Sequence, residues 1–510
     1  MPKIKGKLGI QDFYDAIFDN RPVTIDPKAT DTVRKSFEFL KEFSRNKIIY
    51  GVNTGFGPMT QYKINDSEIV QLQYNLIRSH ASGTGNPIPP KYVKAAMLAR
   101  LNTLSLGNSG VHFSVIDTMV ELINKNITPL IYEHGGVGAS GDLVQLAHLA
   151  LVLIGEGEVF YKGERRPTQG VFEAEGIEPI KVKLREGLGL INGTSVMTGI
   201  GMVNTIYTRR LLEWMISCSS AINEIVKAYD DHLSDDLNRT KKHTGQREIA
   251  RSMRSHLKDS SLTRKREHHL YKDTNSDVSV FTEKVQEYYS LRCVPQILGP
   301  VLDTLNEVER ILIGEVNSAN DNPIVDVEKK NVYHGGNFHG DYVSLEMDKL
   351  KIVVTKMSML AERQLNYLLN PHLNGILPPF VNLGTLGLNL GMQGVQFTAT
   401  STAAENQALS NPMYVHSIPN NNDNQDIVSM GTNAALLTKK VIENAFEVIA
   451  IEMITVVQAI EYLDVKDKVS TKTRNMYDAV RTIVPPFKND EIMYPYVNQV
   501  KDYITNHRNK

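Results

Sequence analysis

Residues 135–143 run Gly-Gly-Val-Gly-Ala-Ser-Gly-Asp-Leu, and a reactive group can be made from the middle of that run. A glycine amide nitrogen is unhindered, and glycine backbone reaches angles that other residues avoid. A serine side chain between two peptide groups can be lost as water. Attack of the Gly141 nitrogen on the Ala139 carbonyl, followed by dehydration of Ser140, yields a 4-methylideneimidazol-5-one ring (MIO). That ring is a strong electrophile built from the chain itself. Taken alone, Ala-Ser-Gly is common, and a plain Gly-rich loop ahead of a core helix is the simpler reading.

Two further runs carry side chains suited to acid–base and anion chemistry. Tyr50 opens Tyr50-Gly-Val-Asn-Thr-Gly-Phe-Gly57, a Gly-rich stretch that suits a mobile lid. A free phenol titrates near about 10, so a tyrosine base working near neutrality needs a positive field such as a helix N-terminus. The alternative is a structural Tyr at a strand end. Arg292 lies in Tyr289-Ser-Leu-Arg-Cys-Val-Pro-Gln296. A guanidinium can clamp a carboxylate through two parallel hydrogen bonds, or it can close an internal salt bridge. No metal is expected: His334 and His339 lie five apart without a matching Cys/His set. No Walker or dinucleotide glycine pattern follows a strand, so no diffusible cofactor is expected either.

The elements that must position these groups are mainly helical. Residues 143–154 are apolar nearly all round, as a buried helix requires, with Asp142 as its cap or first-turn residue and Gly155 as its stop. The tripeptide would then sit at the positive end of that helix. Helical spacing covers 29–45, 63–79, 91–106 and 112–125, and long helical patterns cover 195–228, 282–317, 341–370, 390–409 and 432–463. Short strands are expected at 158–161 and 330–333, too few for a large sheet. The fold class expected is mainly α: an irregular N-terminal part, 1–194, carrying the Ala-Ser-Gly turn, packed on a long-helix bundle, 195–510. The cut is soft, because the two parts are expected to share a core.

Composition narrows the partners. The chain has 510 residues and a formal net charge of −1, so no overall basic excess points to nucleic acid. The cluster Arg264-Lys-Arg-Glu-His-His269 reads as a solvated loop or helix end. Two cysteines, Cys218 and Cys293, form no disulfide framework and fit a cytoplasmic, reducing setting. The apolar stretch 446–463 is interrupted by Glu447, Glu452 and Glu461, which argues for a bundle helix rather than a membrane span. The first twenty residues lack the apolar core of a signal peptide.

Seven segments in order identify a resemblance to the MIO-dependent aromatic amino acid lyases, that is, the histidine, phenylalanine and tyrosine ammonia-lyases and the related aminomutases. They are the Tyr50–Gly57 run, Gly138-Ala-Ser-Gly-Asp142, Leu190-Ile-Asn-Gly-Thr194, the Tyr289–Gln296 run, Asn320-Asp-Asn-Pro323, Gly335-Gly-Asn-Phe-His339 and Asn424-Gln-Asp426. The resemblance implies an ammonia-lyase-like fold, with Ala139-Ser140-Gly141 as the source of the MIO ring. It implies Tyr50 as base, Arg292 and Asn322 on the substrate carboxylate, and Asn192 and Tyr289 near the ring and the amine. Gln286 belongs to the same set, Phe338 packs against the ring, and Asp142 and Asn192 aid ring formation. It also implies a homotetramer with active sites assembled from several subunits.

Three positions bear on the substrate. His80, in Arg78-Ser-His80, resembles the histidine lyases, whereas phenylalanine-specific relatives carry apolar side chains there. A buried His facing an apolar ring would lack its partner, at a cost of about 1–3 kcal/mol, so His80 points to a ring with a polar tip. Histidine lyases read Gln-Glu-Asp-His where this chain reads Asn424-Gln-Asp-Ile427. Gln425 thus replaces a glutamate that would partner an imidazole, and Asn421 resembles tyrosine lyases. Together they point to tyrosine as substrate and trans-4-coumarate as product. Histidine ammonia-lyase and tyrosine 2,3-aminomutase are the alternatives.

Overall fold

The structure is a computed structural model that describes residues 2–271 and 279–508. It is mainly helical, and its backbone divides into two compact units. Unit one comprises Met1–Ile206, Val308–Asp348 and Pro412–Lys439; unit two comprises Tyr207–Glu307, Lys349–Asn411 and Lys440–Lys510. The cut near residue 195 considered from sequence falls inside the first segment of unit one.

Unit one contains α1 (Pro27–Phe43), α2 (Ile69–His80), α3 (Pro90–Ser105), α4 (Phe113–Asn124), α5 (Leu143–Leu153) and α6 (Glu186–Ile191). The Asp26 carboxylate accepts from the Lys28 amide at the start of α1, and Pro27 fills the first turn, where no donor is lost. Val33, Phe37 and Leu40 then recur on its buried face. α3 is buried at every position from Tyr92 to Ser105 and so shows little polarity of face. α5 is likewise apolar around most of its girth. Helices α2, α5 and α6 pack on one another in all three pairings, and this triangle frames the site.

Strands are short. β1 (Thr84–Pro87) pairs with β3 (Tyr132–His134). β2 (Thr128–Pro129) pairs with β4 (Glu158–Tyr161), which forms a hairpin with β5 (Glu164–Pro167). β6 (Ile324–Asp326) pairs with β7 (Asn331–Tyr333). All these pairings are antiparallel. The strands expected at 158–161 and 330–333 are therefore present.

The long helices are α7 (Ser195–Ile225), α8 (Val294–Val316), α9 (Asp341–Leu369), α10 (Gln393–Leu409) and α11 (Gly431–Leu463). The division between units falls inside α7, α8, α9 and α11. Within unit two, polar side chains tie these helices together. Asn406 Nδ2 donates to Ser358 Oγ and to the Val441 carbonyl, each at 3.2 Å, and Ser219 Oγ donates to Gln364 Oε1 at 3.0 Å. The helix expected over 282–317 is shorter than the pattern suggested. Only Tyr289–Arg292 forms a turn ahead of α8, and Pro295 marks the first turn of α8 itself. Among the described residues no helix is long and apolar enough to cross a membrane. The basic cluster is knitted to neighbouring acids: Arg264 pairs with Glu283 at 3.0 Å and Arg266 with Asp231 at 2.8 Å.

Candidate active site

Unit one encloses a cavity of about 630 Å3. Its wall from α2 follows helical spacing: Leu72, Leu76 and His80 are successive i, i+4 positions, with Asn75 and Ser79 beside them. Residues 56–60 of the Gly-rich loop cover one side, and that loop is tied down where Gln73 Nε2 donates to the Gly51 carbonyl at 3.1 Å. Leu188, Ile191 and Asn192 come from α6 and its end, Asn322 and Phe338 from the segments around the β6–β7 hairpin, and Asn421 and Gln425 from a turn ahead of α11. Ser140 lies in the same wall.

The tripeptide is held from several sides. Gly141 has φ +70°, and a Cβ there would lie 2.0 Å from the Gly193 carbonyl oxygen, so only glycine fits this approach. The next amide, Asp142 N, donates to that same oxygen at 2.7 Å. Asn192 Nδ2 donates to the Ser140 carbonyl at 3.1 Å. Asn192 is buried, and its Oδ1 has no hydrogen-bond partner among the described residues, an unmet acceptor beside the tripeptide. Gln425 Nε2 donates to Ser140 Oγ at 3.0 Å. A glycine-only approach, a held carbonyl, a held hydroxyl and an unspent amide oxygen fit conversion of Ala139-Ser140-Gly141 to the ring.

Asp142 does not cap the helix it precedes. It occupies the N-cap position of α5 without a side-chain cap bond. Its Oδ2 instead accepts from Val196 N at 2.8 Å and Met197 N at 3.0 Å in the first turn of α7, and Thr432 Oγ1 donates to its Oδ1. The expectation of a cap on α5 is corrected accordingly: the carboxylate serves the positive end of a different helix. Burial pushes its pKa up to about 6 against the pull of these donors.

The other predicted side chains take the following places. The Tyr50 hydroxyl accepts from Gly57 N at 3.4 Å, and its ring meets Phe56 edge-on. Burial raises the phenol's pKa, opposed by the Gly57 amide and the Arg185 guanidinium. Arg185 is itself locked to Asp321 through two 3.0 Å contacts with both side chains fully buried, and it donates to the Asn322 carbonyl at 3.0 Å. Asn322 Oδ1 in turn accepts from Gly335 N at 2.9 Å. His80 Nδ1 lies 3.0 Å from the Leu76 carbonyl and 3.1 Å from Ser79 Oγ. Burial lowers its pKa, so the ring is neutral, with Nδ1–H donating to Leu76 and Nε2 left as an acceptor.

Gln286, Tyr289 and Arg292 belong to unit two and are not among the residues lining this cavity. There Arg292 Nη1 donates to Gln286 Oε1, and its guanidinium lies 4.8 Å from the Tyr289 ring centroid. Gln286 and Tyr289 line a second opening with Arg363 and Tyr367.

The aromatic amino acid lyase family model matches residues 8–482. The chain belongs to the aromatic amino acid lyase family. A tyrosine 2,3-aminomutase of Myxococcus fulvus is 38% identical over 496 residues, covering 96% of this chain and 94% of that protein. A histidine ammonia-lyase of Bacillus subtilis is 37% identical over 510 residues, covering 99% and 97%. The crystal structure of tyrosine aminomutase from Streptomyces globisporus matches with a TM-score of 0.95 at 35% identity, covering 99% of this chain and 97% of that one. The chain is therefore an enzyme of the carbon–nitrogen lyase and aminomutase type, with the helical fold of that family.

Several residues that frame this cavity went unread in the sequence. The α2 wall was available as i, i+4 spacing running into His80. The Arg185–Asp321 pair that carries Asn322 spans 136 positions, and Gln425–Ser140 spans 285. No local pattern signals either.

Proposed function

We propose that this lyase removes ammonia from L-tyrosine to give trans-4-coumarate. The observation that carries the substrate choice is the 3.0 Å approach of His80 Nδ1 to the Leu76 carbonyl, which can only accept and so fixes the tautomer. With Nδ1–H committed to the Leu76 carbonyl, Nε2 accepts, and it makes no hydrogen bond to a described residue. A phenol O–H supplies the missing donor; a benzene ring does not. An imidazole N–H could also donate there, but position 425 holds an amide instead of a carboxylate, which weighs against histidine.

The MIO ring, formed from Ala139-Ser140-Gly141, would supply the electrophile that makes the substrate amine a leaving group. Asn192 would hold the carbonyl contributed by Ser140, and Phe338 would pack against the ring. Arg292, with Asn322, would bind the carboxylate. Tyr50 would accept the β proton; the C–H pair becomes the Cα–Cβ double bond while the C–N bond breaks and ammonia departs. Tyr289 and Gln286 would complete the amine and carboxylate environment, and Asn421 the cavity rim. Gln286, Tyr289 and Arg292 do not line the main cavity, and, as the family resemblance implies, we assign them to the site as contributions of neighbouring subunits in a homotetramer. A cytoplasmic location fits this assignment. The second reading, tyrosine 2,3-aminomutase, is supported by the Myxococcus fulvus relative and would return the ammonia to the β carbon.

One competition assay tests the assignment. Purified protein receives equal tyrosine, histidine and phenylalanine without added cofactor, and products are identified by mass spectrometry. 4-Coumarate should dominate, and His80→Phe should shift preference toward phenylalanine by about 10- to 100-fold, as expected when a buried hydrogen bond is lost. Dominant urocanate or β-tyrosine, or an unchanged ratio in the variant, would reject the corresponding assignment.

A further inference from the structure

A hydrogen bond to a departing atom acts only before that atom leaves. Gln425 Nε2 donates to Ser140 Oγ at 3.0 Å, and this oxygen is the one lost when the tripeptide becomes a ring. We propose that Gln425 is a positioning residue for ring maturation, holding the Ser140 hydroxyl in the conformation from which it departs. The inference rests on the ring-forming reading above.

The chemistry balances without an oxidant. The Gly141 nitrogen attacks the Ala139 carbonyl carbon, and the N–C bond forms as the π pair moves to oxygen. That oxygen leaves as water with the protons of Gly141 N and Ser140 N, so a C=N bond joins Ala139 to Ser140. The Ser140 Cα proton is then removed, its electron pair forms Cα=Cβ, and the Cβ–Oγ bond breaks. The hydroxide so released takes up a proton as the second water. Negative charge gathers on Oγ as that bond lengthens, and an N–H aimed at Oγ stabilises it.

Two amides divide this work by the fate of the atom each one holds. Asn192 Nδ2 donates to the Ser140 carbonyl, which survives both steps. Gln425 donates to the hydroxyl, which does not, and its amide is released to the cavity once the ring is complete. The backbone keeps Gln425 in place. Asn420 N donates to the Gln425 carbonyl at 3.2 Å and Gln425 N to the Asn420 carbonyl at 3.3 Å. The turn they close carries Asn421, Asn422 and Asp423 at φ 56°, 51° and 57°. Three successive non-glycine residues in the left-handed region is a costly arrangement, which Asn and Asp tolerate best. The turn directs its Gln at a wall shared by the main cavity and a smaller one of about 320 Å3, both lined by Ser140 and Gln425.

The test follows water loss rather than activity. Full-length wild type, Gln425→Met and Gln425→Glu are made in a cell-free pulse with isotope label and chased, and the mass of the tripeptide region is read over time. Circular dichroism and sizing confirm folding and assembly; if one variant does not fold, the other decides. Both variants keep the length of Gln425 but lack its N–H donor at neutral pH. Each should complete ring formation about tenfold more slowly, equivalent to about 1.4 kcal/mol, and should accumulate chains lighter by one water. Dehydration at the wild-type rate, with no one-water species, would overturn the role of Gln425 alone. Wild-type chains that never lose water would overturn the ring-forming reading itself.

Discussion

Tyr50 is asked to be a base, yet its surroundings favour the phenol. Burial raises its pKa above the ordinary value near about 10. The two opposing influences are a long bond from the Gly57 amide and a guanidinium already neutralised by Asp321. The phenolate is then the minor form at neutrality, and its share grows tenfold for each pH unit below its pKa. The kcat for tyrosine should therefore rise with pH between about 7 and 9, with a slope approaching one. Tyr50→Phe should lower kcat by about two to four orders of magnitude while leaving the two-water mass loss of the tripeptide unchanged. A kcat flat across that range at saturating tyrosine would remove the phenolate from the role. A Tyr50→Phe protein without the ring would show that Tyr50 serves maturation instead.

At the level of elements, Asp142 joins the tripeptide to the start of α7. Its carboxyl has a folded pKa of about 6 against an unfolded value near about 3.9. A raised folded pKa means the neutral form is favoured in the fold. The stability it contributes is fully present below about pH 4 and is lost as pH rises through 6, a loss on the order of 3 kcal/mol. Asp142→Asn keeps an oxygen for the Val196 and Met197 amides and removes the charge. Thermal unfolding of this variant should lose that pH slope and, at about pH 8, match or exceed the wild type. A variant that instead unfolds more readily at pH 8, with the slope intact, would show that ionised Asp142 is not the titrating group. This linkage also marks where the sequence was readable. Helix bounds were, because apolar spacing and caps are local: α1 spans Pro27–Phe43 and α4 Phe113–Asn124, close to the 29–45 and 112–125 read from pattern. The partner of Asp142 was not. Sequence shows the helix an Asp precedes, whereas Val196 lies 54 positions away and is brought near only by folding. The segment 282–293 misled for a similar reason, since its spacing continues the α8 pattern while Pro295 sets where α8 begins.

For the whole molecule, the proposed site would draw on residues that the chain keeps in different units. Tyr50, Ser140, Asn192 and Gln425 lie in unit one; Gln286, Tyr289 and Arg292 lie in unit two. On a single chain Tyr289 is 69% exposed, and Leu386, Leu388, Ile492 and Tyr494 of unit two are also largely uncovered. Both facts suit the proposed tetramer with shared sites, and the sharing has an arithmetic consequence. Tyr50→Phe and Arg292→Ala should each be inactive as pure proteins. Co-expressed in equal amounts, they assemble at random. If the Tyr50 and Arg292 of one site come from different chains, each is intact with even odds, so about a quarter of sites recover both. If they come from the same chain, no site recovers, because every chain carries one defect. Activity near a quarter of wild type in the unseparated mixture, with co-assembly confirmed by differential tags, would support intersubunit sites; activity at the level of the pure variants would place the whole site within one subunit.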